Sequence, residues 1–183
     1  MKRINYLLAA AGVALCCMAQ AYAAPKVKAQ SPSDEAEATL EQIGVWSAAV
    51  SDTAFQLNEM ALQQMDPLGQ IEDLDTMKID INSIGKDLQA LDAERDSLAA
   101  WETKALDQVL PLMQDAARNA QKATLIYNSD RQRLWATPYL DDTERVSRDT
   151  EKVTTLLHDY LRLEKTQAKE LQIEQNLGKT PAE

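Results

Sequence analysis

Residues 74–98 read LDTMKIDINSIGKDLQALDAERDSL. Within them Leu74, Met77, Ile81, Ile84, Leu88, Leu91 and Leu98 follow one another in steps of three and four, interrupted only where Arg95 takes an apolar residue's place. Such steps keep side chains on one face of a helix, and their alternation is the pattern of knobs-into-holes packing. A half-buried strand would alternate in steps of two. The stretch therefore predicts a helix with one packed seam, and a seam needs partners.

The partners lie on both sides in the chain. Upstream, Leu40, Ile43, Val50, Ala54, Leu57 and Ala61 form a stripe with Trp46 and Met60 on its flank. Downstream come Leu106, Val109, Met113, Ala116, Ala120, Ala123, Tyr127 and Leu134, and then Val146, Val153, Leu156, Tyr160, Leu163, Leu171 and Leu177. Proline after a capping residue marks helix starts at Ser31-Pro32, Asp66-Pro67 and Thr137-Pro138, and Gly178 with Pro181 marks the last stop. Between Gly85 and Pro111 no Gly or Pro punctuates the chain. The turn there is placed at residues 99–103, where the seam fails at Arg95 and Glu102 and where a break gives helices of matched length.

The expected fold is all-α: an elongated up-and-down antiparallel four-helix bundle with helices over residues 32–65, 67–99, 103–134 and 138–177, one domain over 32–178. The competing arrangement is one long central helix over residues 67–134, from Pro67 to Leu134, with two flanking helices. Pro111 counts against it, since an interior proline costs a helix about 3 kcal/mol.

The ends read differently. Lys2 and Arg3 precede an apolar stretch over residues 4–18, and Ala21-Tyr22-Ala23 supplies a small-x-small processing pattern, so residues 1–23 read as a secretory signal peptide. The apolar stretch is shorter than the ~20 residues that span a bilayer. Cys16 and Cys17 follow Leu15 and Cys16, where a lipoprotein signal wants a small residue. Removing the segment takes away both cysteines and two basic residues but no acid, so the formal charge moves from −10 to −12. Residues 24–31 and 179–183 read as flexible flanks. The expected destination is the bacterial periplasm, with the extracellular space as second choice, and no membrane span is expected after the signal.

Chemistry is sparse in this chain of 183 residues. Nucleic-acid binding needs clustered Lys and Arg, and here 29 acidic residues face 19 basic ones. The one His, His158, has Thr155 where a carboxylate-bridged di-metal bundle would place Glu. No catalytic residue, cofactor or metal site is expected. The leading reading is a non-enzymatic exported bundle that acts through protein–protein interaction, as an adaptor, envelope-assembly or holdase factor, with another protein as partner. Trp46, Met60, Leu62 and Leu161, flanking the seams, leave a homodimer open as well. The candidate surface is the corner of Trp135, Pro138 and Tyr139, together with Asp73, Asp75 and Asp80 on the acidic second helix, since aromatic residues favour interfaces and acids favour cationic partners. The same aromatics would also serve to plug the open end of a helical core. The alternative reading is a small-ligand or metal-binding bundle with a core site near Tyr127, Tyr160 and His158, where Ala116, Ala120 and Ala123 leave room.

Overall fold

A computed structural model describes residues 32–177, and the expected signal peptide, both flanks and the Gly178 stop lie outside the described residues. Four helices run up and down: α1 over Pro32–Leu62, α2 over Ile71–Ala93, α3 over Ala100–Ser129 and α4 over Thr137–Leu177. Each of α1 and α3 packs against both α2 and α4, and the α1–α3 diagonal is sparse, which is the square of an antiparallel bundle. The long-helix alternative is excluded, because the chain breaks between α2 and α3. No strand occurs among the described residues, and no helix there is long and apolar enough to cross a membrane.

The α2–α3 break comes earlier than residues 99–103. α2 ends at Ala93, a single tight turn over Arg95–Ser97 follows, and α3 starts at Ala100. Its cap is unusual for a sequence reader: Ala99 has no polar side chain, so the Glu102 carboxylate reaches back and accepts the Ala99 N–H at 2.6 Å. Glu102 is therefore a fully buried residue of the first turn of α3, not a break in the seam. Arg95 spans the turn instead, donating to Asp92 at 2.8 Å and to Asp107 on α3 at 2.7 Å.

The first turn of the chain, between α1 and α2, is closed by local chemistry. Asp66 caps the single turn Pro67–Gln70, its side chain accepting the Leu68 N–H at 3.0 Å. Just before it, Met65 N–H donates to Met60 O at 3.0 Å and Gln64 N–H to Ala61 O at 3.1 Å, the paired bonds of a Schellman helix end. That motif requires a left-handed residue, and Gln64 supplies it at φ 53°. A side chain in this region costs about 1 kcal/mol that glycine avoids. Gln64→Gly is therefore expected to raise unfolding free energy by about 0.5–1 kcal/mol, read by urea denaturation.

The core is the set of stripes, with one shift. Every stripe position listed for α1 and α3 is buried, and so are Leu74, Met77, Ile81, Ile84, Leu88 and Leu91 of α2. In α4 the buried set is Tyr139, Asp142, Thr143, Val146, Asp149, Thr150, Val153, Leu157 and Leu161. Leu156 and Tyr160 are only half-buried, and Leu163, Leu171 and Leu177 are exposed. The cause is polar members in the seam. Thr143 and Thr150 return their hydroxyls to the carbonyls of Tyr139 and Val146 at 3.0 and 2.8 Å, so they are buried without cost to hydrogen bonding. An apolar count passes over them and then takes the wrong phase.

Candidate interaction surface

The turn end of the bundle is built around two tyrosines. Tyr127, at the end of α3, donates its hydroxyl to Pro67 O at 2.9 Å, and the Arg131 guanidinium lies 4.9 Å above its ring. Tyr139, in the first turns of α4, donates to Gln70 Oε1 at 3.0 Å, and both residues are buried. Burial pushes the Tyr139 hydroxyl well above the ordinary tyrosine value, with Tyr127 and Asp73 adding to the shift. It stays protonated and remains a donor. Tyr139 is thus a plug that ties α4 to the α1–α2 turn, and its place in the candidate surface is corrected: a side chain with no exposed area cannot meet a partner.

Trp135 and Pro138 stand where a surface needs them. Trp135 is 52% exposed, and it lines a shallow pocket of about 270 Å³ with Met65, Pro67, Gln70 and Leu134. At the same end Leu62, Met65, Leu68 and Ile71 are also exposed, Leu68 to 65%. Of these only Leu62 stands out in the sequence, as a flanking residue. The signal for the rest is a turn populated by large apolar residues where polar ones are usual.

The acidic trio does not form one face. At about 100° per residue, Asp73 and Asp80 fall on one side of α2 and Asp75 nearly opposite. Asp75 is exposed and pairs with Lys78 at 3.2 Å, whereas Asp73 and Asp80 are half-buried. Of the three, Asp73 acts on Tyr139 at the aromatic end, adding to the upward shift of its hydroxyl.

The core-site residues are likewise dispersed. Tyr160 accepts a hydrogen bond from Gln108 Nε2 at 2.7 Å, and Gln108 and Tyr127 are separated along α3 by about 28 Å at 1.5 Å per residue. His158 is exposed, 3.7 Å from Asp159 Oδ1. Ala116, Ala120 and Ala123 are buried helix-packing positions. Among the described residues no group of three or more His, Cys, Asp or Glu is placed to hold a metal ion.

A polar cleft between α3 and α4 is the other concentration of charge. Asp149 there is held by Arg148 at 3.8 Å and Lys152 at 3.7 Å. In nearby Asp142, burial raises the carboxyl above its usual range against the lowering effect of Lys122 and Arg145. Arg118 pairs with Asp115 in the same cleft, and Lys122 and Arg145 line it as well, so its lining is cationic on balance.

Fold and surface together define an all-α, antiparallel four-helix bundle with an apolar turn end. Comparison of the chain with protein-family models, with curated proteins and with solved structures found no match.

Proposed function

We propose that this chain is an exported, non-enzymatic helical bundle that docks another protein through the end formed by its first and third turns. The observation that carries this reading is the gathering of Leu62, Met65, Leu68, Ile71 and Trp135, all exposed, at that one end. Large apolar side chains grouped on a surface mark contact sites more often than scattered ones do. The role in the envelope follows from the reading of residues 1–23 as a signal, and it stands or falls with that reading.

The test is site-specific photocrosslinking in the source organism's envelope. A crosslinker at position 135 is expected to capture one discrete protein, and Leu68→Glu is expected to abolish the adduct while leaving helical circular dichroism unchanged. A crosslinker at Phe55, exposed on the side of α1, serves as the control. Equal capture from both positions, or none from either, would overturn the docking site. A product of twice the chain mass would replace the foreign partner with a second copy.

A further inference from the structure

A groove runs along the outside of the α2–α3 seam, on the flank of the bundle rather than at its turn end. One stretch, of about 470 Å³, is bounded by Gly85, Lys86 and Gln89 on α2 and by Leu110, Met113 and Gln114 on α3. A second, of about 360 Å³, shares Ile81, Asn82 and Ala117 with the first and continues to Leu125. Its floor is apolar.

The charge of its walls is opposite to that of the chain. α2 carries six acids and two lysines, yet both lysines, Lys78 and Lys86, line the groove and none of the acids does. α3 adds Arg118, so neither stretch contains an Asp or a Glu. Two of these cations are already neutralised, Lys78 by Asp75 and Arg118 by Asp115. Lys86 takes part in none of the ion pairs formed among the described residues. One uncompensated positive charge therefore stands at one end, flanked by the amides of Gln89 and Gln114, and an apolar channel leads away from it.

Gly85 makes the channel deep. Glycine is a poor residue for a helix interior, and packing gives no reason for it here, since a Cβ at this position would meet nothing within 4 Å. The dimensions suit one hydrocarbon chain. From Lys86 to Lys78 is about 12 Å along α2, and from Gln114 to Leu125 about 16 Å along α3. One acyl chain spans half of a bilayer's hydrocarbon core, about 15 Å.

We propose that this groove binds a single fatty acid of about twelve carbons, its carboxylate on Lys86 between Gln89 and Gln114 and its chain laid over Gly85, Ile81 and Ala117 toward Leu125. Calorimetric titration of the purified protein with dodecanoate, below its micelle concentration, tests this. Saturable one-to-one binding is expected. Lys86→Glu should weaken it at least tenfold, as should a change of ligand to dodecyltrimethylammonium, which keeps the tail and reverses the head. Gly85→Leu should abolish it, and Gly85→Ala, which fills less of the channel, should bind more weakly than wild type while melting at a higher temperature. If Gly85→Leu does not fold, the lysine and alanine variants carry the test alone. Absence of saturable binding, equal binding by the variants, or equal binding of the cationic ligand would overturn the proposal. Tighter binding of dodecyl phosphate would overturn the choice of a carboxylate, and displacement of dodecanoate by an acidic amphipathic peptide would overturn the choice of a fatty acid.

Discussion

Tyr139→Ala is expected to lower the unfolding free energy by about 3–5 kcal/mol, the range for deleting a fully buried aromatic side chain. Trp135→Ala, four residues away, is expected to change it by less than about 0.5 kcal/mol. The contrast follows from exposure. Tyr139 has no accessible area and holds Gln70, itself 1% exposed, by a hydrogen bond, while half of Trp135 faces solvent. Tyr139→Phe divides the effect: it keeps the ring but leaves the Gln70 carbonyl oxygen buried without that donor, for a loss of about 1–3 kcal/mol. Urea denaturation followed by circular dichroism reads all three. Comparable losses at positions 135 and 139 would mean that the whole corner is core, and the docking surface would then have to be sought elsewhere.

The second large effect tests the register of α4. Leu157→Ala is expected to cost about 2–5 kcal/mol, and Leu156→Ala, at a half-buried position, about 1 kcal/mol or less. Leu157 packs against the α1 backbone at Gly44. Its Cβ is 3.7 Å from where a side chain on Gly44 would begin, and Thr154, one turn earlier, donates to the Gly44 carbonyl at 3.3 Å. Truncating Leu157 leaves a void beside that backbone, and the cavity adds to the lost burial. The same denaturation assay checks the pair. A larger loss at 156 than at 157 would restore the phase that apolar spacing alone suggests.

That phase shows how far sequence carries. In α2 and α3 the seam residues are nearly all aliphatic or alanine, so hydrophobic periodicity and burial coincide from Leu74 to Leu91 and from Leu106 to Tyr127. In α4 they part company, because Thr143 and Thr150 are buried through hydrogen bonds to their own helix, a satisfaction invisible to a hydropathy count. The α2–α3 turn was hidden for a related reason: its cap is a carboxylate three residues inside the helix, reaching back to an alanine. The Asp66-Pro67 start was legible because the capping side chain and the proline are local signals. At the candidate surface, residue types marked Trp135 and Pro138 as well as Tyr139, but only the path of the chain decides which of three neighbours points outward. Met65, Leu68 and Ile71 are marked only by their position around the Asp66-Pro67 turn. They resemble seam residues, and it is the tight turn at Pro67–Gln70 that takes them out of any seam.

The α1–α4 contact contains more than oil. Asn58 donates its amide to Leu140 O at 2.7 Å and to Thr143 Oγ1 at 2.9 Å, and the hydroxyls of Ser51 and Ser147 meet at 3.1 Å. Heptad-like apolar rows repeat, so sliding α4 along α1 by one turn would present nearly the same hydrophobic profile to its neighbour. It would not present the same partners to Asn58, Ser51 and Thr154, whose polar groups would be left facing hydrocarbon. Those few directional bonds act as a vernier on an otherwise sliding scale, choosing one alignment from several that burial alone would treat as equivalent. Because that alignment also brings Tyr139 to Gln70, the axial position of the longest helix determines how the first and third turns face each other across the end of the bundle.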